Sequence, residues 1–183
     1  MITRQEKELF STLENLEIVF DVGPRDDLVY YEMRPELEYH LFEPHLEFAF
    51  ELKKKLRRLR NENKQFNIYI NEYGLGKVFG QFIYYEFAQS FVNARTDTMD
   101  QHLYPIETLD RYCKEKNIHK IDFLKIDAED MDYQILQGAQ EMLPNIRHIQ
   151  FECHDGLKKF VELLKDFDIT LVDDVNYHAK NKR

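Results

Sequence analysis

Six short apolar runs, separated by segments of helical pattern, constrain the fold of this chain more than any other feature. The runs occupy residues 17–21, 39–43, 66–70, 121–126, 148–152 and 169–172. Between them apolar residues recur at helical spacing, as in Ile135, Leu136, Ala139 and Leu143, and again in Leu157, Phe160, Val161 and Leu164. Strands that alternate with helices build βαβ units, because a parallel connection must cross the sheet and a helix is the compact way to do so. The expected fold is therefore α/β, a mostly parallel twisted sheet with helices on both faces.

The remaining segments fit one unit. With 183 residues the chain has the length of a single domain with a real core. Residues 1–16 hold a leading helix that starts near Glu6, residues 17–175 form the core, and 176–183 read as a polar tail. Residues 27–34 allow only a short helix, stopped near Pro35, whereas 45–60 suit a longer one. Residues 76–85 read as a strand or hairpin arm and 86–104 as an irregular insertion. About 30 residues follow the fifth run, so abbreviated C-terminal strands are expected.

Charge narrows the partners. The formal net charge is −9, which disfavours unspecific contact with nucleic acid phosphates. The basic run at 53–60 carries Leu52, Leu56 and Leu59 on one helical face, so it reads as a solvated helix surface rather than a nucleic-acid patch. No apolar run approaches the ~20 residues needed to cross a bilayer, and the first residues lack a secretory core. Cys113 and Cys153 suggest neither a disulfide nor a zinc framework, and a reducing, cytoplasmic setting is expected. No nucleic acid or membrane partner is expected.

In open parallel sheets ligands bind outside the carboxyl ends of the strands, so the residues closing each strand matter most. The first run closes with Asp21-Val-Gly23-Pro24-Arg25-Asp26-Asp27 and the second with Phe42-Glu43-Pro44. Gly23 suits a close approach of backbone to ligand. Glu43 lies 20 positions beyond it, the distance at which an acid can accept hydrogen bonds from the two hydroxyls of a ribose. Together they favour an adenosine-containing ligand. The stretch Gly74-Leu-Gly76-Lys-Val-Phe-Gly80 mimics a phosphate loop but leads into a strand pattern instead of a helix, so it reads as a turn into a hairpin.

The fourth run closes with Asp127, and Glu129, Asp130 and Asp132 follow. Four carboxylates there can bind a divalent ion, hold a substrate hydroxyl, or cap the next helix, and capping is the ordinary reading for Asp130 and Asp132. No metal is assigned to them. Asp127 closes the strand and should face the site. After the fifth run comes His154, an imidazole placed for general-base work, although a lone loop histidine is more often merely solvated.

Three segments carry a family resemblance. Tyr104-Pro-Ile-Glu-Thr-Leu-Asp-Arg-Tyr112, Ile121-Asp-Phe-Leu-Lys-Ile-Asp-Ala-Glu-Asp130 and Ile135-Leu-Gln-Gly-Ala139 are similar to motifs of FkbM-type methyltransferases. Gln150-Phe-Glu152, Asp21-Val-Gly23 and Phe42-Glu-Pro44 resemble further parts of the same family, so the likeness runs from about Ile18 to His154. It implies a Rossmann-like, class I methyltransferase fold, S-adenosylmethionine as cofactor, and usually a hydroxyl of a sugar or other small molecule as acceptor. By the same resemblance Asp21, Gly23, Pro24 and Arg25 line the methionine end of the cofactor. Glu43 and Pro44 meet the ribose, Glu72 and Tyr73 flank the adenine, and Asp127 faces the transferred methyl group. Asp127, Glu129 and His154 together form the expected catalytic set. The chain departs from the family where Asp27 replaces a second glycine, where Asp130 replaces the glycine after Glu129, and where Asp132 is the shorter acid. A methyltransferase fold weakened in catalysis and kept for binding or scaffolding is the alternative reading.

Overall fold

The computed structural model describes residues 2–60, 67–85, 101–128, 131–154 and 156–183. Helix α1 (Arg4–Thr12) opens with a capping box, in which Thr3 accepts from the Glu6 N–H while Glu6 accepts from the Thr3 N–H. Strand β1 (Ile18–Val22) leads through α2 (Val29–Met33) to β2 (Glu38–Phe42), and α3 (Leu46–Arg60) returns the chain to β3 (Ile68–Asn71). A small outlying sheet follows, made of β4 (Gly74–Leu75), β5 (Gly80–Tyr85) and β6 (Gln101–Glu107). Then come α4 (Leu109–Lys116), β7 (Ile121–Ile126), α5 (Asp132–Gln137), β8 (Ile146–Glu152), α6 (Leu157–Leu163), β9 (Phe167–Asp173) and β10 (Asn176–Asn181).

The large sheet has the order β3-β2-β1-β7-β8-β10-β9. Its first five strands are mutually parallel, and β10 lies antiparallel between β8 and β9. Both faces are covered, which is why the strands read as near-continuous apolar runs. Val19 and Phe123 join Phe10, Tyr30, Leu52 and Leu56 in one buried cluster. Phe20, Leu124 and Ile126 join Leu109, Ile135, Leu136 and Phe160 in the other. Leu59 packs against the first cluster, as its helical phase with Leu52 and Leu56 requires.

Two expectations need correction. Residues 176–183 are not a tail: 176–181 form β10, and the final strands, seven and six residues long, are not abbreviated. Their polar side chains hid this, because a strand needs only its buried alternate positions to be apolar or satisfied. Ala179 is fully buried, Asn176 nearly so, and Asn181 Nδ2 donates to Ile146 O at 2.9 Å. The second correction concerns the insertion at 86–104. Residues 101–104 belong to β6, where Tyr104 and Ile106 are buried while Leu103 is exposed, and residues 86–100 lie outside the described ones. The turn into a hairpin after Gly76 is present as β5, antiparallel to β6.

Candidate active site

The chain runs outward from β1 to β2 and β3, then comes back to β7 on the other side of β1. The two connections diverge there and leave a crevice beyond the carboxyl ends of β1 and β7. A cavity of about 280 Å³ occupies it, lined by Ile2, Gly23, Pro24, Arg25, Asp26, Asp27, Lys125 and Asp127.

The loop after β1 is shaped by backbone contacts. Gly23 has φ +79°, and its N–H donates to Phe42 O at 3.0 Å. A Cβ on Gly23 would lie 2.0 Å from the Asp127 carbonyl oxygen. The glycine is thus required by the neighbouring strand end, not only by a ligand. Arg25 has φ +56°, an uncommon conformation for a side chain-bearing residue, and three contacts hold the loop in it. Its N–H donates to Glu43 Oε2 at 2.9 Å, its guanidinium lies 4.8 Å from the centre of the Phe48 ring, and Lys55 pairs with the Asp26 carboxylate at 3.0 Å.

Glu43 is 4% exposed, and its second oxygen accepts the His45 N–H at 2.8 Å. Burial pushes its carboxyl up to about 7 against the pull of those two N–H groups. In this structure Glu43 anchors the loop through two backbone N–H groups and does not line the cavity. Pro44 is buried beside it. Glu72 is half exposed and paired with Lys53 of α3 at 2.6 Å. Tyr73 packs against Phe42, with its hydroxyl donating to Asn71 Oδ1 at 3.2 Å. None of Glu43, Pro44, Glu72 and Tyr73 lines the cavity.

The cavity floor holds a residue that the motif reading passed over. Lys125 is 1% exposed, and its Nζ lies 3.1 Å from Asp127 Oδ2 and 3.5 Å from Asp21 Oδ1. Burial opposes its charge, but Asp21 and Asp127 outweigh that and hold its pKa above the usual lysine range. Burial pushes Asp21 up to about 6, with Lys125 acting against it. The available signal was a lysine inside a mostly apolar strand, two positions before the closing Asp127 and hence on the same face.

Asp132 is not a helix cap. Its carboxylate accepts from the N–H groups of Ala128 at 3.3 Å and Glu152 at 2.9 Å, tying the ends of β7 and β8 together, and burial pushes its pKa up to about 6. Beyond this tie lies a second cavity of about 140 Å³, lined by Asp132, Tyr133, Glu152, Cys153, His154, Lys159 and Phe160. His154 faces this cavity, its Nε2 3.6 Å from Glu152 Oε2, and the two cavities share no lining residue. Glu129 lies outside the described residues. Among the described residues no group of three or more His, Cys, Asp or Glu is arranged to hold a metal ion, and no helix is long and apolar enough to cross a membrane.

A seven-stranded sheet in this order, with one antiparallel strand inserted near its edge and a cavity at the switch point, is the class I methyltransferase fold. A match to the methyltransferase FkbM domain covers residues 21–178, and the chain belongs to that family. The cofactor that goes with this family is S-adenosylmethionine. Among solved structures, a methyltransferase FkbM from Methylobacillus flagellatus KT superimposes with a TM-score of 0.65 at 16% identity, over 92% of this chain and 45% of that one. The present chain therefore spans about half the length of that protein. TrmK of M. capricolum, in complex with S-adenosyl-homocysteine, gives 0.55 at 11% identity over 100% and 70% of the two chains. An rRNA methylase from Streptococcus thermophilus gives 0.56 at 13% identity over 100% and 99%. At such identities these likenesses concern the fold. No curated protein matches the chain.

Proposed function

We propose that this chain transfers a methyl group from S-adenosylmethionine to a hydroxyl of a sugar or other small molecule. The observation that carries this reading is the cavity at the switch point, with a glycine turn on one wall and Asp127 on the other. Its lining suits the charges of such a donor, since Arg25 can meet the ligand carboxylate while Asp127 can lie against the cationic sulfur. When bound, the cofactor supplies a methyl group on a positively charged sulfur, which leaves as a neutral thioether. Glu43 would meet the ribose as the Arg25 N–H bond to it opens, and Glu72 and Tyr73 would border the adenine.

The acceptor hydroxyl has to reach the donor cavity beside Asp127, and the rest of the acceptor can extend along the same sheet edge toward the second cavity, where His154 lies 3.6 Å from Glu152. As the new O–C bond forms and the methyl–sulfur bond breaks, the hydroxyl proton passes to Asp127, the carboxylate that lines the donor cavity. A small acceptor is favoured over RNA because the chain is acidic overall and because Lys53, Lys54 and Lys55 of α3 are each paired with a carboxylate.

Calorimetric titration tests the donor assignment. The protein should bind S-adenosylhomocysteine, and Glu43→Ala should weaken binding by about 1.5–3 kcal/mol, the size of a lost charge-assisted contact. Asp27→Gly should tighten binding by removing bulk and charge from the cavity wall. Unchanged affinity in Glu43→Ala removes the ribose assignment. Absence of any binding favours the alternative, a fold kept for interaction after catalysis was lost.

A further inference from the structure

A charge imbalance lies at the donor cavity, which Lys125 and Asp127 line and which Asp21 backs without lining it. Two carboxylates, Asp21 and Asp127, surround the single ammonium of Lys125, so the cluster is left with one uncompensated negative charge. Asp21 Oδ1, in a residue only 3% exposed, is close enough to Lys125 for ion pairing yet has no hydrogen-bond partner. The acid beside Asp127 on the cavity wall, Asp27, adds to the same sign, whereas Asp26 is met by Lys55. A buried charge without a counter-charge is costly, and the ligand that offsets this one is a cation placed next to Asp127.

The donor and its product differ at one atom in this respect. Both carry the same amino-acid end, but only the donor has a positive sulfur. We propose that the Asp21–Lys125–Asp127 cluster is the element by which this site prefers the cationic donor over the neutral thioether product. In it Asp127 is the specificity-determining group and Lys125 the positioning residue that holds the Asp127 carboxylate against the cavity. Lys125 is itself held in a buried setting, near Tyr30, whose hydroxyl bonds Gln150 at 3.3 Å, and Gln150 in turn donates to Glu6 of α1. Asp127 is therefore presented by a preorganised support and not by a free side chain. The proposal rests on the donor occupying this cavity.

Three ligands separate the possibilities in one calorimetric series. They are S-adenosylmethionine, S-adenosylhomocysteine, and sinefungin, in which an amine-bearing carbon replaces the sulfonium and restores the positive charge. The parent protein should bind the two cationic ligands more tightly than the thioether. Asp127→Asn, nearly isosteric at a partly exposed side chain, should weaken the cationic ligands on the order of tenfold and the thioether less than threefold. Lys125→Met should shrink the preference while Lys125→Arg retains it, with thermal melts confirming that each variant is folded. Equal losses for all three ligands in Asp127→Asn, or a parent protein without preference for the cations, overturn the proposal. Amide shifts identify a failure of the underlying donor assignment. If S-adenosylhomocysteine binds but leaves the Gly23 and Arg25 signals unmoved, the donor lies elsewhere and the charge proposal falls with it.

Discussion

Gly23 shows how a single residue can serve the fold and the site at once. Its positive φ and the 2.0 Å approach of a hypothetical Cβ to the Asp127 carbonyl leave no room for a side chain. The same approach brings the loop after β1 against the end of β7 and so forms the cavity between them. Gly23→Ala should therefore destabilise the protein by about 2 kcal/mol or more, combining left-handed strain with displacement of the strand end. Urea unfolding with an unchanged m-value would measure it. A loss below about 0.5 kcal/mol would mean that the loop relaxes freely and that the glycine is a ligand requirement after all. Glu43 works in the opposite sense. Its carboxylate satisfies two backbone N–H groups, so part of any effect of removing it will appear as lost loop order even without ligand.

Among the elements, β7 and β8 are joined at their carboxyl ends by Asp132, whose oxygens accept one N–H from each side. Asp132 lines the second cavity and not the first. Asp132→Asn replaces one accepting oxygen by an amide that faces an N–H donor, leaving a buried polar group unmatched. The expected cost is about 1–3 kcal/mol. In hydrogen exchange the Ala128 and Glu152 amides should lose protection together, while amides at the β1–β2 pairing stay as they are. Uniform loss across the sheet would show that Asp132 contributes only to global stability. The second glycine contact is built on a similar principle. A Cβ on Gly138, just after α5, would lie 2.0 Å from the Gly76 carbonyl, so this glycine of the family motif docks the helix end against the outlying sheet.

For the whole molecule, pH acts through opposing sets of buried groups. Burial lowers His148 to about 4, beside His178 at 3.0 Å, whereas it raises Asp21 and Asp132 to about 6 and Glu43 to about 7. A depressed histidine binds fewer protons folded than unfolded, so its contribution is whole above about pH 6.5 and is lost as pH falls toward 4. The raised acids bind more protons folded, so their burial penalty is relieved as pH falls through 7 and 6. The two trends partly cancel in the parent protein. His148→Gln removes only the first, so its stability relative to the parent should improve by on the order of 1–2 kcal/mol between pH 7 and pH 5. Parallel pH profiles for the two proteins would place the titration elsewhere.

The alternation of strand and helix, the apolar faces of α3 and α5, and the strand-closing positions of Asp21, Glu43 and Asp127 were legible in the chain itself. These follow from periodicity and local chemistry, which act over a few residues and leave a regular trace. Strand β10 left no such trace. Its side chains are mostly polar, and its place between β8 and β9 follows from the otherwise unpaired edge of β8, which is an inter-strand need and not a property of residues 176–181. The same holds within the site. Lys125 could be seen as a buried cation in a mostly apolar strand, but its partners, Asp21 on the adjacent strand and Asp127 two residues on, are brought around it by the register between β1 and β7. That His154 and Asp127 line separate cavities, and that Glu43 faces the loop backbone, were likewise decided in the tertiary structure. Hydrogen-bond partners and cavities depend on which chain segments meet, and residues far apart in sequence encode that only jointly.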